Sequence, residues 1–358
     1  MTDEDIRAAV QAGILSEPQA TRLRALAESR AGQRAAMPSE DEPFEFFRGF
    51  SEIFVSLGLV ITLIGVTSVT FLFAGDQGLY LIPFMVAALA WGFAEYLTRI
   101  RRMNLPSMVL AVAFGGAIVL GVMGLMAMNT NLFRAGRELF VVPLLLASLG
   151  MLLWYARFRL PFSAFVLGCL ALATIYTALM HDDMPGIDDG DTWAVFFDIG
   201  TNPVFAIATL LFGTVCFLIG MSFDMSDPWR LGRRAATAFW LHLLAAPALV
   251  NTVALTLYRD GSGMAMAWLV LALVLITVLA LVIDRRSFLS AALAYIALVL
   301  FWMADAREGI DISWGVIVIA LGLGVTAIGT WWVALRGGLM RLLPEFPGKS
   351  RLPPYRAP

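Results

Sequence analysis

Residues 263–283 have the sequence GMAMAWLVLALVLITVLALVI, in which twelve residues are Leu, Val or Ile and none is charged. At about 0.3 to 0.6 kcal/mol of insertion free energy for each of these twelve, the segment favours the bilayer by roughly 4 to 7 kcal/mol. Its length also matches the ~20 residues that cross ~30 Å of hydrocarbon as an α-helix. The segment is therefore predicted to span a membrane.

Nine further apolar segments share these properties, and the composition of the whole chain agrees with them. The 358 residues are 59% hydrophobic and 15% charged, with a mean hydropathy of +0.80, which lies outside the range of soluble domains. Because lipid offers no partner for backbone N–H and C=O groups, each segment must be helical. The predicted fold class is all-α, a polytopic membrane bundle of about ten transmembrane helices. The predicted spans are residues 51–74, 78–98, 106–128, 138–156, 161–180, 203–222, 235–256, 263–283, 288–304 and 312–335.

Lys and Arg residues are distributed unequally between the loops on the two sides of these spans. If the N-terminus is cytoplasmic, the inside loops and the C-terminal tail carry fifteen basic residues, and the outside loops carry four. Since Lys and Arg near span ends are retained on the cytoplasmic side, both termini are predicted to be cytoplasmic. A single lysine among 25 basic residues is typical of GC-rich bacterial genomes, so we predict the bacterial inner membrane as the location.

The residues ahead of the first span contain the features of a small helical unit. Ser16 followed by Gln19 is close to a capping box, and Gly13 can supply a left-handed helix stop. Residues 1–29 are thus predicted to form a cytoplasmic helical hairpin, which is too small to fold alone and should dock on the membrane domain or on a protein partner. Residues 30–50 are predicted to be a polar linker. The ten-helix membrane domain covers 51–335, and 336–358 form a basic, Pro-rich cytoplasmic tail.

The sequence VQAGILSEPQA, residues 10–20, precedes the polar linker and a Gly-containing first span. In this N-terminal region the chain resembles an uncharacterised bacterial membrane family, the domain of unknown function twenty-one fifty-seven. It departs from that pattern after the first span, where residues 74–78 are AGDQG instead of a Trp-containing loop. The resemblance implies a multi-pass membrane protein and no particular activity.

Few ionisable side chains are predicted at membrane depth, where they are costly and commonly functional. Glu95 precedes Arg99 by one helical turn near the end of the second span, which favours an interfacial ion pair. His242 lies deeper, in the seventh span. Its imidazole can donate an interhelical hydrogen bond in packed protein, or it can handle a proton or a ligand. A pairing of Glu95 with His242 is an open alternative.

The seventh span carries two further polar or irregular residues. Pro247 forfeits a backbone hydrogen bond and clashes with the preceding turn, so it predicts a kink, and bent polar helices often line cavities. Asn251 lies nine residues after His242, which places it on the opposite helical face unless the kink intervenes.

Residues 192–203, TWAVFFDIGTNP, precede the sixth span and are apolar enough to lie in the outer interface. They predict an interfacial anchor or, alternatively, a lid or re-entrant element. Asp198 and Asn202 would share one face if this piece is helical.

Signatures of catalysis and of cofactor binding are lacking in this sequence. Two histidines are too few for a multi-His metal site, and the chain has no Walker-type loop and no G-x-S-x-G motif. We therefore predict no catalytic residues, metal, cofactor or nucleic-acid partner, and no enzymatic activity.

Two classes of function fit these observations. The first is a secondary permease for a small neutral or lipid-like substrate, and the bundle architecture favours it. A division into five plus five spans would place the halves in opposite orientation, as inverted-repeat transporters require, although the halves show no sequence similarity. The alternative is a membrane-anchored scaffold or regulatory protein that acts through residues 1–29.

Overall fold

The computed structural model describes five long ranges of the chain and a few positions near its N-terminus. The ranges are 49–129, 137–180, 192–228, 232–285 and 312–355, with residues 230 and 288 and positions 6, 9–10, 12–16, 18–23 and 26. Within these residues the structure is helical and contains no strand, which confirms the all-α fold class there. The helices are α1 (Phe50–Ala74), α2 (Gly78–Ala94, continued by a π-helical turn at Glu95–Ile100), α3 (Asn104–Asn129), α4 (Glu138–Phe158), α5 (Phe162–Leu179), α6 (Thr192–Phe197), α7 (Pro203–Met225), α8 (Arg233–Asp260), α9 (Gly263–Ile283), α10 (Ile312–Thr330) and α11 (Trp332–Leu342).

Eight helices in the described ranges are long and apolar enough to cross a membrane, and they match the first eight predicted spans. The ninth predicted span, 288–304, lies outside the described residues except for Phe288. The tenth, 312–335, is not a single helix, because α10 ends at Thr330 and α11 begins at Trp332. This architecture fits a multi-pass integral membrane protein, and the total of ten crossings stays a prediction.

Large apolar side chains cover the outside of these helices. Phe54, Leu153, Leu211 and Val270 are examples from four helices, each more than 60% exposed. Soluble proteins rarely expose a continuous apolar surface of this extent, because water solvates it poorly. A bilayer solvates the same surface well, which is why these helices need a lipid environment.

Two cores hold the helices together. The first lies among α2, α3 and α4, where the Trp91 ring packs against Phe114, Trp154 and Phe158 with centroid distances of 5.1 to 5.7 Å. The second lies among α5, α7, α8 and α9 and includes Trp332 of α11.

Helices α7 and α8 approach each other closely because glycines face α8. A Cβ added at Gly213 would lie 2.9 Å from the Cβ of Ala248, and one added at Gly220 would lie 3.0 to 3.2 Å from the imidazole of His242. Small residues permit such close helix packing in membranes. Helix α8 continues through Pro247 without interruption, and the predicted kink stays a prediction.

The C-terminal segment, predicted to be a tail from residue 336, folds back onto the bundle. Arg336 lies inside α11 and is buried, and its guanidinium donates to the carbonyl oxygens of Pro353 and Pro354 at 2.6 and 3.0 Å. Lys349 is also buried, and its Nζ donates to the carbonyl oxygen of Leu343 at 2.8 Å. Residues 343–355 thus cover one end of the second core.

The described N-terminal positions show two of the predicted local features. Gly13 adopts the left-handed conformation, with φ of 70°. The Oε1 atom of Gln19 accepts a hydrogen bond from the backbone N–H of Ser16 at 2.9 Å, which is one half of a capping box. The hairpin as a whole, and the linker that follows it, fall largely outside the described residues and stay predictions.

Candidate functional site

A buried carboxylate, an imidazole and a guanidinium meet where α7, α8 and α9 converge. The Nε2 atom of His242 lies 3.0 Å from the Oδ2 atom of Asp224. Arg285 donates its Nε–H to the same oxygen at 3.0 Å and an Nη2–H to the other oxygen, so it binds the carboxylate with two bonds. His242 and Arg285 are fully buried, and Asp224 is 3% exposed.

The helices position these three groups by different means. Asp224 lies one residue before the end of α7, and His242 lies on the facing side of α8. The absence of a side chain at Gly220 leaves room for the imidazole, whose edges meet the rings of Phe217 and Phe288 at centroid distances of 5.5 and 5.7 Å. The ring is therefore held by packing as well as by its hydrogen bond.

The end of α9 directs two charged side chains into the bundle. Asp284 takes the left-handed conformation, with φ of 56°, and its N–H bonds back to Leu281, while the N–H of Arg285 bonds to the carbonyl oxygen of Ala280. This is a Schellman stop, which usually has Gly at the left-handed position. Asp tolerates that conformation better than most residues, so the turn keeps a carboxylate beside Arg285.

The carboxylate of Asp284 organises a second set of buried contacts. It accepts from the Nε1–H of Trp332 at 2.7 Å and lies 3.3 Å from the Nη1 atom of Arg230 and 3.6 Å from the Nε atom of Arg336. We call Asp224, Arg230, His242, Asp284, Arg285 and Arg336 together the buried ionic cluster. Each of these residues is less than 5% exposed.

The chemistry available to this cluster is proton and hydrogen-bond exchange. In low dielectric surroundings, a charged group needs a partner of opposite charge or must change its protonation state. The Nδ1 atom of His242 is buried and has no hydrogen-bond partner among the described residues. Within the same residues, no group of three or more His, Cys, Asp or Glu side chains is placed to hold a metal ion.

Glu95 lies in a different part of the molecule and has different partners. Its oxygens accept from Arg157 at 2.8 and 3.0 Å and from Arg99 at 2.8 Å, so the predicted Glu95–Arg99 pair is present and is joined by an arginine from α4. His242 bonds to Asp224 instead, and the structure of the described residues does not pair Glu95 with His242.

Asp198 and Asn202 are placed by a loop, and they do not share a helical face. Helix α6 ends at Phe197, and the buried Asp198 accepts from the N–H groups of Gly200 and Thr201 at 3.1 and 3.2 Å. The Oδ1 atom of Asn202 caps α7 by accepting from the N–H of Phe205. The condition for a shared face, a helix that includes both residues, is therefore not met, because the local side chain to backbone bonds of Asp198 form a turn after Phe197.

Asn251 is half-buried on α8, four residues after Pro247. No hydrogen bond between it and His242 occurs in the described structure, and their placement on opposite faces stays a prediction. Among the predicted site residues, His242 is the one that lies fully buried beside a carboxylate and its arginine, whereas the charged partners of Glu95 are exposed.

Comparisons with known proteins provide no relative for this arrangement. No protein-family model, no curated protein and no solved structure matches the chain. The resemblance of its N-terminal region to the uncharacterised bacterial family stays a prediction. Any functional conclusion must therefore come from the geometry of the site.

Proposed function

We propose that the protein is a proton-linked secondary permease for a small neutral or lipid-like substrate, and that Asp224 and His242 exchange the proton. The supporting observation is the hydrogen bond between these two side chains, which is buried together with Arg285 among three helices. Ionisable groups within membrane helices typically mark proton relays or substrate pathways. Outside the buried ionic cluster and the helix ends, the spans contain almost no charged residues, which favours a substrate without net charge.

The free side of the imidazole suggests how proton and substrate binding are coupled. With the Nε2–H of His242 bonded to Asp224, an added proton must go to Nδ1, which then becomes a second N–H donor. A buried donor without an acceptor is unfavourable by roughly 1 to 3 kcal/mol. Proton uptake is therefore favoured when a water molecule or a substrate oxygen reaches Nδ1.

The charge balance of Asp224, His242 and Arg285 also indicates that proton uptake requires water or substrate near His242. With Asp224 and Arg285 ionised and His242 neutral, the three side chains carry no net charge. Protonation of His242 gives them a net charge of +1 inside the bundle, which is costly without solvent or an added partner. The helices around His242 must therefore open towards water or substrate when the proton binds, as alternating access requires.

We further propose the bacterial inner membrane, ten crossings and cytoplasmic termini. The arginine asymmetry supports this topology. Four of the fifteen residues counted as cytoplasmic are buried, namely Arg230, Arg285, Arg336 and Lys349. The remaining eleven still outnumber the four on the other side. We assign no enzymatic activity, cofactor or nucleic-acid partner, and the protein partner of residues 1–29 stays a prediction.

Proteoliposomes that contain the full chain and the pH-sensitive dye pyranine test the transport proposal. Glycerol, urea and ethanol are added outside in turn, with the membrane potential clamped by potassium and valinomycin, and the internal pH is recorded. We expect at least one solute to drive proton movement by the wild-type protein. His242→Gln should abolish this movement, because an amide can still bond to Asp224 but cannot titrate. His181→Gln, at the other histidine of the chain, is the matched control and should retain it.

Two results would contradict the proposal. Undiminished proton movement in a folded His242→Gln protein would exclude this residue from the mechanism. Absence of proton movement with every solute, together with no flipping of a fluorescent short-chain phospholipid in a dithionite assay, would favour the scaffold alternative.

A further inference from the structure

Exposed arginines gather at one end of the first core, where α2 and α4 end. They are Arg99, Arg101, Arg102, Arg157 and Arg159, and we call them the arginine patch. Glu95 is the one acidic residue that bonds with members of the patch in the described structure. Five guanidinium groups and one carboxylate leave the patch with a net charge of +4.

Glu95 holds two of these arginines side by side. Arg157 comes from α4, 62 residues away, and binds the carboxylate with its Nε–H and an Nη2–H, while Arg99 donates to the same carboxylate from one turn along α2. The Arg99 and Arg157 side chains remain 47% and 43% exposed. Since a guanidinium carries five N–H donors, most donors of the pair face the surroundings and not Glu95.

The aromatic ring beside this pair indicates its depth in the membrane. Tyr96 is 48% exposed, and Arg101 donates to its hydroxyl at 2.9 Å and lies 5.7 Å from the ring centroid. Exposed tyrosines with arginine partners are typical of the layer in which lipid headgroups lie. The patch is therefore placed at headgroup level.

Apolar surface continues from the arginine pair towards the bilayer interior. Leu153 and Leu149 lie one and two turns before Arg157 on the same face of α4, and they are 66% and 57% exposed. On α2, Gly92 lies two turns before Arg99, and a Cβ added there would meet no atom within 4 Å. Exposed apolar surface on α4 and open space on α2 thus adjoin the helix ends that carry the two guanidinium groups.

We propose that the arginine patch binds an anionic phospholipid, with its phosphate on Arg99 and Arg157 and an acyl chain along Gly92, Leu149 and Leu153. Paired guanidinium groups match the oxygens of a phosphate with two-bond geometry. The net positive charge selects an anionic headgroup over a zwitterionic one. This site is independent of His242 and of the proposed transport.

Native mass spectrometry of the full-length, delipidated protein tests the charge requirement. Phosphatidylglycerol and phosphatidylcholine with identical acyl chains are titrated in parallel, and the bound fraction of each is measured. Wild type should bind phosphatidylglycerol more tightly. Each arginine near an anionic lipid contributes a factor of about five, so Arg99→Gln with Arg157→Gln should weaken phosphatidylglycerol binding roughly 25-fold. Arg341→Gln with Arg351→Gln removes two exposed arginines elsewhere and should leave it unchanged.

A second variant tests the acyl-chain path without altering charge. Gly92→Leu should weaken the binding of both lipids severalfold, because the added side chain fills the path below the arginine pair. Gly58→Leu, at another exposed glycine with open space around it, is the control and should have no effect. If both double-arginine variants lose the same amount of phosphatidylglycerol binding, the attraction is general and the proposed site is wrong. Equal affinity of wild type for the two lipids would also contradict the site. A Gly92→Leu protein that binds both lipids as tightly as wild type would contradict it as well.

Discussion

Glu95 and Asp224 occupy comparable places in two four-helix sets, α1 to α4 and α5, α7, α8 and α9. Each carboxylate lies at the end of the second helix and binds an arginine that lies at or beyond the end of the fourth, 62 residues away for Glu95 and 61 for Asp224. Between the second and third helices, Arg102 and Arg230 both adopt left-handed conformations, with φ of 53° and 52°. In each set the third helix contacts the other three.

The environments of the two carboxylates nevertheless differ. The Glu95 side chain is 32% exposed and the Asp224 side chain 4%. In the first set, α3 contributes the Phe114 ring, which packs against Trp91 and Trp154. In the second, α8 contributes His242 between two phenylalanine rings, and α11 covers the adjacent Asp284. The same carboxylate–arginine contact is thus an interfacial clamp in one set and part of a sealed polar site in the other.

This correspondence also bears on the internal symmetry of the bundle. In the predicted topology four crossings separate equivalent elements, and an even number of crossings leaves both sets in the same orientation. The five-plus-five division considered from the sequence would instead have placed its halves in opposite orientations. The matching positions in the structure favour a parallel relationship, an arrangement known from some transporter families.

Removal of the buried arginine should produce the largest effect. Arg285→Leu leaves the Asp224 carboxylate buried with His242 as its remaining partner in the trio, so the free energy of unfolding should fall by about 3 to 5 kcal/mol. Arg157→Leu, the equivalent change in the exposed clamp, should cost less than about 1 kcal/mol. Unfolding in mixed micelles, followed by tryptophan fluorescence, measures both values.

A double replacement distinguishes loss of the ion pair from loss of packing. Asp224→Leu combined with Arg285→Leu should be more stable than Arg285→Leu alone, because no buried carboxylate then lacks its arginine. If the stability losses of the single variants Asp224→Leu and Arg285→Leu simply add in the double variant, the interaction between Asp224 and Arg285 contributes little. The contrast with Glu95 then fails.

An intermediate effect is expected from Gly220→Ala. The new methyl group would lie 3.0 to 3.2 Å from three atoms of the His242 ring, which is rigid and packed on both edges, so the imidazole must shift from Asp224. Overpacking of this kind costs roughly 1 to 3 kcal/mol. Gly92→Ala is the matched control at the corresponding turn of α2. A Cβ added there would meet no atom within 4 Å, so this variant should lose no stability. Equal stability of the two variants would contradict the close fit around His242.

The helices were largely predictable because each apolar run carries its own insertion energy. The predicted span 263–283 has the bounds of α9, whereas α7 ends at Met225 and not at residue 222. That difference concealed Asp224, which was outside the predicted membrane region. Asp224 lies seven residues after Phe217 and four after Gly220, so the three share one helical face. This periodicity identifies Asp224 as a residue that faces the bundle interior.

The partners of His242 could not be predicted by local reasoning. A lone histidine in an apolar run is visible in the sequence, but Asp224 and Arg285 lie 18 and 43 residues from it and meet it only through helix packing. Sequence alone predicts loop or tail positions for Arg230, Arg285 and Arg336, because the same basic pattern at span ends arises whether the side chain faces water or a buried carboxylate.

The smallest effect should come from Glu95→Gln. The carboxylate bridges two arginines that are nearly half exposed, so solvent screens the attraction and the side chains lose little by separating. The loss of stability should be the smallest of the series, and it should shrink further as salt is raised from 0.1 to 1 M, where the screening length falls from about 10 to 3 Å. The same mixed-micelle unfolding measurement applies. A loss as large as that of Arg285→Leu, or one that salt does not reduce, would contradict this expectation. It would show that the Glu95 carboxylate is shielded from solvent as well as the Asp224 carboxylate is.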